Sequence, residues 1–368
     1  MYNDIDICIA YPGDLSQPSG GTTRVTAFVS ALSENGFRPG VVIPKPKGVL
    51  PDLPGVSVIE VPVQVGGVAN QLKRGYRITK KSHSIIDNKD SILQFEHSSL
   101  ASIGTFTGDR RYILDMHDLT YHSPLYTDRA GGILIKHILK RLERRALGHA
   151  SDIITVSDSM ANYVHSELSS SVEPRVVPNG YDEDIISHLD RRDTQQGRVV
   201  FLGTLHAKVD VDTIIQTARR DEVDELVLIG KGFLYEKLSR NAPASVNTKG
   251  WMSPTEALEL TTTAELVISP YKPCPAIEVS SPVKMYTYAA MGKPIVATPG
   301  PDIIEYLHEQ NGVVKSGSKE FPECVAEALR DEELRLRISE NAKSAIEGYS
   351  WEDRKKSYID IVERVMYQ

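Results

Sequence analysis

Short apolar runs alternate with amphipathic stretches along the whole chain. Residues 5–10, 41–43, 92–95, 112–115, 153–156 and 175–177 form compact apolar runs that predict buried strands. Between them, Val25, Phe28, Val29 and Leu32 recur at helical spacing within 22–34, and 133–147 predicts a second helix. The pattern then restarts. Strands are predicted at 198–202, 225–229, 246–249, 264–269, 294–298 and 312–314, and helices at 212–219, 256–261 and 282–291. The order βαβα predicts parallel sheets covered by helices on both faces. Its restart predicts an α/β protein of two doubly wound domains. The polar stretch 182–197 marks the boundary, so the domains are expected at 1–181 and 182–349. An amphipathic final helix, 350–368, carries Trp351, Tyr358, Ile361, Val362 and Val365 and is expected to return to the first domain.

Composition narrows the function. A net charge of -7 disfavours bulk nucleic-acid binding. The cysteines Cys8, Cys274 and Cys324 are scattered and show no metal-ligand spacing, which fits a reducing compartment. No run approaches the ~20 apolar residues that a spanning helix needs. The expected location is the cytoplasm, free or peripheral at the inner face of a membrane.

The most informative run is 280–298, SSPVKMYTYAAMGKPIVAT. Ser281 reads as an N-cap, Pro282 as the first helical residue, and Gly292 as the terminator. Free N–H groups at such a helix start suit a phosphate, and Lys284 adds a full charge. By local chemistry alone the same run also describes an ordinary capped helix.

This run resembles the donor-site helix and following strand of family-four glycosyltransferases. Further segments match in order. They are Gly20-Gly21 after the first strand, Asp115-Met116-His117-Asp118, Leu142-Glu143-Arg144-Arg145 with 151–157, Val177-Pro178-Asn179-Gly180-Tyr181-Asp182, Phe201-Leu202-Gly203, and Tyr349-Ser350-Trp351-Glu352. Together they span nearly the whole chain. The resemblance implies a GT-B fold, with two Rossmann-like domains facing across a cleft. It implies a retaining glycosyltransferase that moves a sugar from a UDP-, GDP- or other nucleotide sugar to a glycan or lipid-linked acceptor. Two other readings fit less of the pattern: a non-catalytic GT-B partner subunit and a GT-B sugar-nucleotide epimerase.

Roles follow from the resemblance position by position. His117, Glu278 and Lys284 are expected at the chemistry. Gly20, Gly21, Gly203, Lys208, Gly230, Trp251, Ser280, Ser281 and Thr287 are expected around the donor, and His97 and Asp118 on the acceptor side, with Asp118 orienting His117. Two positions depart from the family pattern. Thr204 stands where an arginine is common, leaving Lys208 and Lys284 to meet the diphosphate. Thr287 stands where a glutamate usually grips the ribose; a neutral hydroxyl contributes about 1 kcal/mol there, against ~1.5–3 for a charged bond. No cofactor or metal is expected, because the helix start and the lysines supply positive charge. The triplets Asp4-Ile5-Asp6 and Asp210-Val211-Asp212 enter a strand and precede a helix, and are read as structural. Lys73, Arg74, Arg77, Lys80 and Lys81, with Lys136, Lys140, Arg141, Arg144 and Arg145, form basic stretches that read first as a solvated face and second as a surface able to meet anionic lipid headgroups.

Overall fold

The computed structural model describes residues 5–63, 68–86, 90–119, 122, 132–168 and 170–367. The chain divides into two compact units. One contains residues 1–178 and 352–368, the other 179–351. The division therefore falls at Pro178–Asn179 rather than after Tyr181. Tyr181 belongs to the second unit because its N–H donates to Tyr349 O (3.2 Å) and its carbonyl accepts from Trp351 N (2.9 Å). The stretch 182–197 is not a linker. It holds the helix Glu183–Ser187 and the start of a strand.

The first unit is built on seven strands, β1 (Ile7–Ala10), β2 (Pro39–Pro44), β3 (Ser57–Val61), β4 (Ile92–Glu96), β5 (Tyr112–Met116), β6 (Ala150–Thr155) and β7 (Arg175–Val176). They run parallel in the order β3-β2-β1-β4-β5-β6-β7, with Cys8 of β1 opposite Gly40 on one side and Leu93 on the other. β1, β2, β4 and β5 are buried throughout, as expected where helices cover both faces. The helix Gly20–Glu34 follows β1. Ser19 caps it by accepting from Thr22 N (3.1 Å), and Val25, Phe28, Val29 and Leu32, the residues at helical spacing, are all fully buried. The final helix, Trp351–Met366, packs Tyr358 on Phe28 with ring centroids 4.0 Å apart and donates its hydroxyl to Gln94 of β4 (2.8 Å).

The second unit has six parallel strands, β8 (Gln195–Leu202), β9 (Glu225–Ile229), β10 (Val246–Gly250), β11 (Ala264–Ser269), β12 (Ile295–Ala297) and β13 (Val314–Lys315). Their order is β10-β9-β8-β11-β12-β13. Apolar clusters fill both faces of this sheet, one around Val227, Met285 and Tyr288, the other around Phe201, Leu228 and Phe321. In each sheet the strand order reverses once, between β1 and β4 and between β8 and β11. Open α/β sheets bind ligands outside the carboxyl ends of their strands at such a switch point. Among the described residues, no helix is long and apolar enough to cross a membrane.

Candidate active site

At the switch point of the first sheet, four charged side chains meet below the surface. Arg24 projects from the helix after β1, Glu96 ends β4, Asp115 lies in β5 and His117 follows β5. Arg24 grips Asp115 with two bonds, Nε to Oδ2 at 2.7 Å and Nη2 to Oδ1 at 3.0 Å. Its Nη1 donates to the carbonyl of Val177 (2.9 Å). His117 Nε2 lies 3.0 Å from Glu96 Oε2 and 3.1 Å from Asp115 Oδ2. Glu96 in turn accepts from Gln94 Nε2 (2.6 Å).

The electrostatics follow from this geometry. Burial works against a charged His117, but the carboxylates of Asp115 and Glu96 outweigh it and hold the imidazole up, at about 9. Burial likewise opposes the Asp115 charge, yet Arg24 and His117 draw its carboxyl down to about 2. Glu96 is pushed up, first by burial and then by the Asp115 charge. At neutral pH His117 is therefore an imidazolium, with buried Nε2 turned to the two acids. The His117 side chain as a whole is 19% exposed. The oxygens of Glu96 and Asp115 and Nε2 of His117 lie within 4.8 Å of one another, a spacing that a cation could use. The Arg24 guanidinium already occupies both oxygens of Asp115, so this donor set fits a charge-balanced proton site better than a metal.

The carboxylates that lie against His117 Nε2 are those of Asp115 and Glu96. The Asp118 carboxylate accepts from Leu119 N (2.9 Å), while β-strand alternation turns Asp115 inward beside the histidine. His97 caps the helix Ser98–Gly104, its Nδ1 accepting from Ser99 N (3.2 Å). Its φ of 116° is a strained conformation for a residue with a side chain, and it sits directly beside Glu96. Gly20 and Gly21 form the first turn of the helix that carries Arg24. A Cβ on Gly21 would lie 3.1 Å from the Tyr11 hydroxyl.

The second cluster lies at the switch point of the second sheet. The helix Val283–Ala290 starts there with Pro282 as its N-cap. Ser281 is thus not the cap and Pro282 not the first helical residue. The Ser281 hydroxyl is engaged with Tyr286 Oη (2.8 Å), and its carbonyl accepts from Asn179 Nδ2 (2.6 Å). No side chain caps the helix start. Lys284 extends from its first turn so that Nζ lies 3.8 Å from the ring centre of Phe201, in β8, and 5.1 Å from that of Tyr271, just beyond β11. Two aromatic faces favour a cation, but among the described residues no carboxylate pairs with Lys284. Burial draws its ammonium down to about 7. Tyr288, from the same helix, accepts the Leu202 N–H at its hydroxyl oxygen (2.8 Å), which pins the helix to the end of β8.

The strand-end glycines close around this lysine. A Cβ on Gly203 would lie 3.4 Å from Lys284 Nζ. Gly230 has φ of 125°, donates its N–H to Gly250 O (2.7 Å), and would drive a Cβ to 2.3 Å from Gly203 O. Only glycine permits that contact. Lys208 lies in the loop after β8, its carbonyl accepting from Lys272 N (2.9 Å). Thr287 donates to Val283 O (3.2 Å). Ser280 donates to Ile277 O (2.9 Å), and Glu278 ends the short helix Pro275–Glu278 on the surface. Trp251 is 44% exposed beyond Gly250, outside the core. Asp4 of the first acidic triplet lies outside the described residues. Asp6 pairs with Arg38 (2.6 Å), Asp210 caps a helix by accepting from Thr213 N (3.2 Å), and Asp212 pairs with Lys237 (2.9 Å).

Two doubly wound parallel sheets, each with polar groups gathered at its switch point, define the GT-B class. The Glycosyltransferase Family 4 profile matches residues 18–185 and the Glycosyl transferases group 1 profile matches 196–331, so the chain belongs to this glycosyltransferase family. TuaH of Bacillus subtilis, a protein assigned as a teichuronic acid biosynthesis glycosyltransferase, is 25% identical over 174 residues, 44% of either chain. This chain thus spans under half the length of that relative. Sucrose-phosphate synthase of Thermosynechococcus elongatus superposes with a TM-score of 0.77, covering 98% of this chain and 99% of its own at 13% identity. HepE of Anabaena, in complex with UDP-glucose, superposes at 0.68 over 97% and 99%, at 14% identity. At these identities the structures establish the fold.

Proposed function

We propose that this chain is a retaining hexosyltransferase, which moves a sugar from a nucleoside-diphosphate donor to a hydroxyl of a glycan or glycolipid. The observation that carries the reading is Lys284, an ammonium held between two aromatic rings at a switch point with no carboxylate partner among the described residues. Such a cation is stabilised by an incoming anion, and the uncapped helix start beside it adds free N–H donors. A donor diphosphate supplies the missing charge. UDP is the first nucleotide to test, since HepE was solved with UDP-glucose. The relation to TuaH favours a cell-surface polysaccharide acceptor.

In the proposed reaction the bond between the sugar C1 and the diphosphate oxygen breaks. The acceptor hydroxyl forms its bond to C1 on the same face, and its proton passes to the departing phosphate. Lys284 and Lys208 take up the charge of the leaving group. His117, protonated and balanced by Asp115 and Glu96, donates to a sugar hydroxyl. The first unit is assigned to the acceptor and the second to the donor.

The acceptor unit is also proposed to rest on an anionic membrane at its cytoplasmic face. Ile133, Leu134 and Ile138 are exposed on the helix Gly132–His149, interleaved with Lys136, Lys140 and Arg141. Leu72 and Tyr76 are exposed on the helix Val68–Ile85 beside Lys73 and Arg77. Apolar insertion combined with basic charge is the recipe of an interfacial helix. Calorimetric titration with UDP, GDP, ADP and their sugar conjugates tests the donor site. Binding of one nucleotide set that disappears in Lys284→Ala supports it, and no binding by any of them rejects it.

A further inference from the structure

A cavity of about 180 Å³ in the second unit lies away from the proposed donor site. Its lining includes Arg191, Arg192, Thr194, Thr262 and Lys293. Thr194 immediately precedes β8, Thr262 precedes β11 and Lys293 precedes β12. The cavity thus opens at the amino ends of these strands, opposite the carboxyl ends where Lys284 lies. Its floor includes Gly292, just past the other end of the Lys284 helix.

Three cations face this space, and one carboxylate answers them. Arg192 pairs with Glu259 (2.8 Å). Arg191 is exposed and has no ion-pair partner among the described residues. Lys293 is half-buried and spends its ammonium on neutral carbonyls, those of Thr262 and Ala264 (2.9 Å to the latter). Asp190 and Asp193 flank the arginines in sequence but do not line the cavity. Among the described residues, the lining holds these three basic residues and no carboxylate. Burial, and then the charge of Arg191, draw Lys293 down to about 8, the direction expected of an ammonium crowded by another cation.

We propose that this cavity is a second ligand site, which binds a small phosphate-bearing anion. The guanidinium of Arg191 offers paired donors matched to phosphate oxygens, Lys293 offers a point charge, and the Thr194 hydroxyl completes the wall. The volume is below the ~300–1,000 Å³ that encloses drug-sized ligands. It suits a phosphate with a few attached carbons rather than a nucleotide. The proposal does not depend on the donor reading, because it shares no residue with it.

The test is thermal unfolding of the full chain in rising inorganic phosphate, run on Lys284→Ala so that the donor site is disabled, and on the wild type saturated with UDP. Phosphate is expected to raise Tm by several degrees in both, and Arg191→Gln is expected to abolish the rise. Arg191 is exposed and makes no structural bond, so its variant keeps the fold; Lys293→Gln, which loses two carbonyl contacts, serves only as a second check. A Tm rise that survives Arg191→Gln, or that is already absent in Lys284→Ala, overturns the site. Sedimentation with phosphatidylglycerol vesicles distinguishes a lipid source. Vesicle binding that requires Arg191, with no response to free phosphate, overturns a small free ligand. Loss of UDP binding in Lys284→Ala with the phosphate response retained separates the two sites.

Discussion

Arg24 and Asp115 form a two-bond ion pair with both side chains almost wholly removed from solvent, 1% and 0% exposed. A buried pair of this kind is a weak source of net stability, but removing one partner strands the other charge. Asp115→Asn is therefore expected to destabilise the first unit by about 3–5 kcal/mol, seen as a lower midpoint in urea unfolding. A loss below about 1 kcal/mol means that Arg24 finds another partner.

Asp115 and Glu96 also set the proton on His117. Its pKa in the folded chain is raised to about 9 from an ordinary value near 6.5. The stabilisation from this charge is present in full below about 6.5 and is lost as pH rises through about 9. An NMR titration of the His117 ring protons is expected to give a midpoint near 9, and Glu96→Gln to lower it. An ordinary midpoint in the wild type refutes the charged state assigned to this histidine.

Lys284 titrates in the opposite sense. Burial draws it down to about 7, so in the free protein part of the population has already lost its proton at neutral pH. A bound diphosphate restores the charge and takes up a proton. UDP affinity is expected to weaken by about tenfold per pH unit above 7 until the pKa of the complex is reached. Isothermal titration between pH 6.5 and 8.5 in two buffers of different ionisation heat measures both the affinity and the proton uptake. A flat profile removes Lys284 from the phosphate.

Replacing the same residue separates binding from folding. Lys284→Met keeps the contacts of the stem with Phe201 and removes a charge that has no carboxylate partner among the described residues. UDP affinity is expected to fall about 10–100-fold, the equivalent of one charge-assisted interaction, while Tm stays level or rises. A fall in Tm of several degrees shows that the lysine is structural.

Gly230→Ala tests the packing of the strand-end loops. Its φ of 125° and the carbonyl of Gly203 at 2.3 Å from a new Cβ leave no room without moving the backbone. A cost of about 1–3 kcal/mol and loss of UDP binding are expected. Wild-type binding in this variant excludes the loop from the donor site.

The architecture was readable where the chain was uniformly apolar. β9 and β11 lie on the predicted residues, because a strand buried on both faces leaves a continuous hydrophobic run. β3 was missed because it is an edge strand with alternating burial, and the helix Val68–Ile85 because polar residues and Gly75 dilute its apolar stripe. Of the residues singled out from loop motifs, Gly203, Gly230 and Lys284 lie together at the ends of the second sheet's strands. The buried partners were not legible, since Arg24, Glu96 and Asp115 come from distant elements whose convergence depends on strand order. A local signal existed. Arg24 stands in the same helical stripe as Phe28 and Leu32, and Glu96 and Asp115 interrupt apolar strands. A charge in such a position requires a partner.

The first unit is discontinuous in sequence, and this dictates an order of assembly. Its residue Tyr358 stacks on Phe28 and bonds Gln94, the side chain that holds Glu96 beside His117. During synthesis, residues 179–351 leave the ribosome as an uninterrupted segment and can complete their own core first. The earlier-made first unit must wait for residue 358 with its Phe28 face uncovered. The histidine centre thus depends on the last helix to be made, so a nascent chain halted before that helix holds a complete second unit and a first unit whose histidine centre lacks the Tyr358 contacts.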